Sequence, residues 1–352
     1  MCRPKKEGGL GITDIFLTNT ILNLKHIGNL LDPSNKSLWK LWVHMYRLKN
    51  KSFWKVKMPA HCSWYWGKLL KLRPVAKPLI IHKIGTGDHT FLWYDNWLPI
   101  GPLLDRYPER IAYDAAININ AKVRAIVRGL DWNWPVSRSC ELDEVRSILS
   151  SFPPPSGSID TMRWNITPNG AFHFATVWNH VRVHHPIVPW HKVVWYHGGT
   201  PRQSFILWLA ANHRLATHDR ISKFTMGPLA CVFCQSHMEA HDHLFFACTY
   251  SVFIWQDLMR RCGLTWNKHN WNNTLLWMAQ NLKGKKAHHI IPKICLGVAV
   301  YGLWRERNQR TFKLVFSPKE VILKYLVSQV HDLINVKWKN HSTLRTIIGN
   351  CL

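Results

Sequence analysis

Three cysteines and a histidine fall within the run CVFCQSHMEAHDHLFFAC, residues 231–248. Their order is Cys-x2-Cys-x8-His-x4-Cys, through Cys231, Cys234, His243 and Cys248. A Cys-x2-Cys turn sets two thiolates on one side of a tight loop. An imidazole and a third thiolate returning shortly afterwards can complete a tetrahedron, the closed geometry of structural Zn2+. Three thiolates and one imidazole leave no position for a substrate water, so the expected single zinc holds structure and performs no chemistry. Spacing alone does not fix the imidazole, because His237 and His241 also lie close, and Cys262 could replace a sulfur ligand.

Other chemistry is poorly provided for. Nucleotidyl transfer needs paired aspartates holding two metal ions, and the chain has no Asp-Asp pair. There is no Gly-x-Ser-x-Gly elbow. The stretch Gly85-Thr86-Gly87-Asp88 lacks the third glycine of a dinucleotide fingerprint and the Lys-Ser/Thr of a P-loop, so it reads as a hairpin turn. His184-His185 and His288-His289 have no organised partners, and adjacent side chains should diverge. The sequence therefore points to no enzyme, no second metal and no small-molecule substrate.

Charge is the second large signal. The 352 residues hold 46 Lys/Arg against 20 Asp/Glu, a formal net charge of +26. Residues 1–80 carry 15 Lys/Arg against 3 Asp/Glu, and residues 281–352 carry 13 against 3, so the excess sits at the ends. Such a field attracts polyanions, of which nucleic acid is the usual one, RNA or DNA. Lys36, Lys40, Arg47, Lys49 and Lys51 interleave with Trp39, Trp42 and Trp54, and Arg305, Arg307 and Arg310 recur along one helix flank. All eight are candidate phosphate contacts. Nine cysteines without a secretory leader argue for a reducing compartment, nuclear or cytoplasmic and not secreted. The longest apolar run, ICLGVAVYGLW, is too short for a membrane span.

The elements that must position these residues are mainly helical with short β-hairpins, an α+β class. Apolar spacing gives two helices between Thr18 and Tyr46, broken at Asp32-Pro33-Ser34-Asn35. Residues 79–98 read as two short strands joined by the GTGD turn. A helix over 140–151 ends at the linker Phe152–Ser158. A hairpin turned at Pro168-Asn169-Gly170 precedes a helix with Val177, Trp178 and Val181. Helices at 203–216 and from Tyr250 flank the cysteine run, which zinc would pin together. The tail holds a helix at 289–312 and another announced by Ser317-Pro318-Lys319-Glu320, a capping box, with its stripe ending near Lys337-Trp338. The expected division is a basic helical region 1–78, a hairpin-plus-helix region 79–151, a linker 152–169, a zinc-organised domain 170–262 and a basic helical tail 263–352.

Several stretches resemble one family in order: CRPKKEGGLGI, FLWYDNWLPIGPLLDRYP, PRQSFILWLAANHRLATHDRI, the CVFC…DHLFFAC run and WRERNQRTF. Together they resemble the C-terminal part of a plant LINE-type (non-LTR) retrotransposon reverse transcriptase, including its zinc-binding domain. The resemblance implies Cys231, Cys234, His243 and Cys248 as ligands, and a zinc domain from about Gly170 to Cys262. The polymerase fingers and palm of that family, and its endonuclease, have no counterpart here, and the tail lacks the clustered carboxylates of a ribonuclease H. Met1 reads as the start of a shortened relative or of a gene product cut from a longer polypeptide. The expectation is a non-catalytic zinc- and nucleic-acid-binding fragment or remnant of such an element. The alternatives are a protein-interaction module with purely structural zinc and a truncated part of an active reverse transcriptase.

Overall fold

The computed structural model describes residues 1–136, 139–221, 229–265 and 270–337. The class is α+β: helices dominate, with two two-stranded antiparallel sheets among the described residues. The chain divides into two compact units, Asp14–His184 and Met1–Thr13 with His185–Leu352.

In the unit Asp14–His184 the first helix, Ile15–Leu31, starts where Asp14 accepts from the amides of Phe16 and Leu17 at 2.8 and 3.1 Å. That cap satisfies two of the donors a helix N-terminus leaves open. Ile21, Leu24, Ile27 and Leu30 form its buried stripe. The break at 32–35 is followed by a helix Leu38–Trp42 that widens into a π-turn over Val43–Leu48. Lys49 and Asn50, both left-handed, then reverse the chain. A second core gathers the aromatic stretch around Trp93 and Trp97 with Leu142, Val145 and Leu149 of the helix Cys140–Ser151.

The strands correct the expected hairpins. Ile80–Lys83 does not pair with the residues after GTGD but with Thr161–Trp164, antiparallel, Ile80 opposite Trp164. The reason is Asp160. Its carboxylate is buried and accepts from the amides of Gly85, Gly87, His89 and Thr90 at 2.8–3.1 Å and from the Thr90 hydroxyl at 2.9 Å. The GTGD stretch is thus a cradle of backbone N–H groups wrapped around an anion of the chain's own. Gly85 and Gly87 are required there. A Cβ on Gly85 would stand 1.9 Å from the Ser158 carbonyl oxygen, and Gly87 has φ +79. The segment expected as a linker is bound into the same unit, since the Gly157 amide donates to the Gly85 carbonyl and Trp132 Nε1 to the Pro153 carbonyl. The turn at 168–170 does form, with the Trp164 amide donating to the Gly170 carbonyl.

The other unit is built around one long helix, Ala287–Lys313, buried on every side from Ile291 to Val300. A helix apolar all round belongs in the middle of a core. Pro201–Ala211 and Thr249–Arg261 both pack against it, as does the last helix, Lys319–Lys337. The two helices that flank the cysteine run thus share the long helix as a common packing partner. Gly302 lets the last helix approach closely, for a Cβ there would lie 2.3 Å from Leu326. Ser317 donates its amide to Glu306 and not within a capping box. Leu326, Val330 and Ile334 face the core; Trp338 lies outside the described residues. The opening GGLG stretch belongs here, with Trp208 Nε1 donating to the Gly8 carbonyl at 2.9 Å. No helix among the described residues is long and apolar enough to cross a membrane.

Replacing Asp160 by Asn should test the cradle. The amide turns a donor toward groups that are themselves donors, at a cost of about 3 kcal/mol. Burial pushes the Asp160 pKa up, but the hydrogen bonds from Gly85, Gly87, His89 and Thr90 outweigh it and hold the value below normal. A depressed folded pKa contributes stability above the unfolded value near ~3.9, lost as pH falls through the folded one. Urea titrations should show the parent losing this contribution below about pH 4, and Asp160→Asn lacking it throughout; equal stability of the two at neutral pH would contradict the account.

Candidate metal centre

The loop that carries the cysteines is held by few backbone bonds. Ala230 bridges Met238 antiparallel, the Cys231 amide donates to the His237 carbonyl at 2.7 Å, and the Gln235 amide returns to the Cys231 carbonyl at 2.9 Å. Gln235 is left-handed, φ 57, which closes the turn with Cys231 and Cys234 on the same side. The other two side chains bracket a π-turn, His243–Ala247: His243 opens it and Cys248 follows it. In an α-helix, residues five apart point roughly 140° from one another. An i→i+5 bond, here the Cys248 amide to the His243 carbonyl at 2.7 Å, widens the turn and swings the fifth residue back toward the first. The helix Thr249–Arg261 starts directly after Cys248.

The result is convergence. One ligand atom each from Cys231, Cys234, His243 and Cys248 all lie within 4.8 Å of one another, with Cys231 and Cys248 buried. The sulfurs of Cys231 and Cys248 are 3.9 Å apart, and Cys234 Sγ is 3.3 Å from His243 Nε2. A tetrahedral zinc, with bonds of about 2.3 Å to sulfur and 2.0 Å to nitrogen, requires edges of about 3.5–3.8 Å. The donor set and the spacing both fit. Hydrogen bonding from Cys248 is the main influence that draws the Cys231 thiol down to about 5, aided by the amides of Cys234 and Phe233, while Cys248 is pushed up. A dication bound between them would displace the thiol protons.

The neighbouring alternatives lie elsewhere. His241 is buried against His213, Phe245 and Trp271, with ring centroids 4.4, 5.2 and 5.2 Å away. Burial lowers it to about 4, and His213 adds to the shift, so it packs as a neutral ring. Cys262 Sγ is 3.7 Å from Cys295 Sγ in the long helix. The rings of His288 and His289 do not diverge but stand 4.1 Å apart. Among the described residues no second group of three or more metal-ligand side chains converges.

The metal loop is locked to the long helix by two arginines expected at a nucleic-acid surface. Arg307 is 2% exposed, and its guanidinium donates to Glu239 from Nη2 at 2.8 Å and from Nε at 3.2 and 3.3 Å. Glu239, equally buried, also accepts from the His218 amide at 3.0 Å. Arg310 donates to Glu306 at 2.8 Å, to the Val232 carbonyl at 3.1 Å and to the Ser317 carbonyl at 2.7 Å, with its plane near the rings of Phe233 and Tyr250. Sequence spacing shows the helix flank but not that Glu239, far away in sequence, waits for it. Arg305 stays exposed and donates to the Tyr325 hydroxyl at 3.0 Å.

In the unit Asp14–His184, Lys36, Lys49 and Lys51 are exposed and Arg47 half-buried. Lys40 is turned inward, donating to the Asp32 carbonyl at 2.6 Å, and burial lowers its pKa. Trp42 lies under Arg47, 5.3 Å from its guanidinium, while Trp54 is tied to Asp95. Arg47, Lys49 and Lys51 line one concavity of about 440 Å3 with Lys55, Lys57 and Tyr94. Lys55 and Lys57 belong to the same basic run, interleaved with Trp39, Trp42 and Trp54, that the sequence offers to a phosphate backbone.

Comparison with known proteins places this geometry. Residues 172–255 match the family described as zinc-binding in reverse transcriptase, a span that holds all four converging side chains. Two Arabidopsis thaliana proteins are similar. One, named "Putative ribonuclease H protein", is 23% identical over 326 residues, which is 89% of this chain and 51% of that protein. The other, named an uncharacterized mitochondrial protein, is 26% identical over 108 residues, 29% of this chain and 70% of that protein. The chain thus spans about half the length of the first. No solved structure matches it. Over residues 172–255 the chain is similar to the zinc-binding region of reverse transcriptases, and the donor set of the Cys3His cluster within that span fits zinc.

Arg307→Ala should leave Glu239 charged and buried without its cationic partner, a loss of about 3–5 kcal/mol. The pair Glu239→Gln with Arg307→Met should recover much of it. Chemical denaturation of the three proteins measures this, and a single variant as stable as the parent would contradict a pairing role.

Proposed function

We propose that the chain is a non-catalytic, nucleic-acid-binding part of a LINE-type retroelement protein, in which a single structural zinc organises one unit and a basic groove in the other takes the phosphate backbone. One observation carries the reading: Arg47, Lys49, Lys51, Lys55 and Lys57 border one concavity, and no carboxylate lines it. A concave basic surface with an aromatic ring, Tyr94, in its wall suits a phosphate chain and its bases. Lys55 keeps an ion pair with Glu109 outside the groove lining, an exposed contact that a phosphate could displace at little cost. A closed set of three thiolates and one imidazole leaves no position for a substrate water, which supports a structural role for the zinc.

An exposed apolar face, Leu38, Leu41, Trp42, Met45 and Tyr46, favours a second reading as a protein-interaction module. The binding titration separates the two. Fluorescence anisotropy with single-stranded RNA and duplex DNA should give an affinity that falls steeply with salt. Changing Arg47, Lys49 and Lys51 together to Ala should weaken binding at least tenfold and lower the salt slope by about 2–3. Affinity and slope unchanged in the triple variant would overturn the groove. Binding indifferent to salt would remove the electrostatic reading altogether.

A further inference from the structure

The helix Thr249–Arg261 and the long helix Ala287–Lys313 meet at two sulfurs outside the Cys3His cluster. Cys262, at the C-terminal cap of the first, and Cys295, inside the second, hold their Sγ atoms 3.7 Å apart. Both are free thiols; Cys295 is fully buried and Cys262 is partly exposed at its helix end. We infer that Cys262 and Cys295 are a redox pair that a peroxide converts to a disulfide, joining the helix that follows the metal ligand Cys248 covalently to the long helix.

The surroundings narrow the chemistry to this. Among the described residues no third His, Cys, Asp or Glu converges on the two sulfurs, and two ligands do not make a zinc site. A buried cysteine by itself packs as a small hydrophobe. Two facing thiols, one of them on a partly exposed residue, can instead give up two electrons together. The backbone holds Cys262 in place for it. Its amide donates to the Leu258 and Met259 carbonyls at 3.3 and 3.0 Å, and beyond the left-handed Gly263 the Leu264 amide returns to the Met259 carbonyl at 2.9 Å. The sulfurs must close by roughly 1.7 Å to reach a bond of about 2.0 Å, which side-chain rotation can supply.

The roles of the two sulfurs differ. Hydrogen bonding to Cys262 and burial both push the Cys295 thiol up, so Cys295 keeps its proton and Cys262 meets the oxidant. The Cys262 thiolate attacks one peroxide oxygen, the O–O bond breaks, and the departing hydroxide takes a proton to become water. Cys262 is then a sulfenic acid. Cys295 sulfur attacks Cys262 sulfur, the S–O bond breaks, and the hydroxyl leaves as a second water with the Cys295 proton. Two thiols and one hydrogen peroxide thus become one disulfide and two waters, and a reduced thiol pool reverses the change by exchange. The cross-link would fix the helix leading from Cys248 to the same long helix whose Arg307 and Arg310 hold the metal loop.

This inference stands apart from the nucleic-acid reading. Its test is hydrogen peroxide treatment of the full chain purified with zinc, then alkylation of remaining thiols, proteolysis without reduction and mass spectrometry, with released zinc followed by a chromogenic chelator. A peptide pair joining Cys262 to Cys295, lighter by two hydrogens and reversed by dithiothreitol, should form several-fold faster than zinc is released. The oxidised chain should unfold at higher urea than the reduced one, a shift absent in Cys262→Ser, at a partly exposed position. In Cys295→Ala, dimedone should label Cys262 as the trapped sulfenic acid; mapping of the parent decides the matter even where that variant fails to fold. Disulfides among Cys231, Cys234 and Cys248 forming first with loss of zinc, Cys262 recovered as a free thiol, or Cys262 oxidised in the parent without Cys295 would each overturn the pair.

Discussion

The convergence of three sulfurs and one imidazole is the constraint on which the metal-centre unit depends. The segment 229–242 has almost no regular structure of its own, with a single bridge and one left-handed turn to hold it. Such a segment cannot offset its own ordering entropy by packing. A metal tying Cys231 and Cys234 to His243 and Cys248 closes the loop and fixes where Glu239 stands. Glu239 then meets Arg307 on the long helix at 2.8 Å, and Arg310 reaches the Val232 carbonyl beside it. Without a fixed loop Arg307 would be buried without its carboxylate, a costly state, while Arg310 would keep Glu306 and lose the Val232 carbonyl.

The same physics recurs in the other unit with the signs reversed. There a buried carboxylate, Asp160, is met by backbone amides and a hydroxyl instead of by a cation. Both carboxylates, Glu239 and Asp160, are taken out of water where their partners are pre-positioned, by a guanidinium of the long helix in one unit and by a glycine-containing turn in the other. These interior pairs explain why a chain of net charge +26 spends some of its arginines inside while leaving Lys36, Lys49, Lys51 and Arg305 outside.

What was legible in the sequence follows from the range of each interaction. The cysteine spacing, the helix periodicity and the break at 32–35 are local, and the structure shows the cluster and those helices where local signals put them. The strand partners were not legible, because the feature that pairs 80–83 with 161–164 is a carboxylate more than seventy residues from the turn it fills. GTGD has the look of a hairpin turn from inside its own window. The roles of Arg307 and Arg310 were hidden for the same reason: a helix flank rich in arginine reads as a wet basic surface unless the distant acceptors are known. His241 and His243 are indistinguishable by spacing to within two residues. The π-turn that aims His243 at the sulfurs and leaves His241 among aromatic rings has no sequence signature that marks it.

The most direct test of the central claim is the zinc content of the purified full chain, by elemental analysis beside a Cys234→Ser variant, with amide hydrogen exchange over 229–262 as the structural readout. The account predicts about one zinc per chain, the single Cys3His site, with exchange protection that is lost together with the metal in the variant. A parent that holds no zinc and yet protects 229–262 as strongly as the long helix would contradict it.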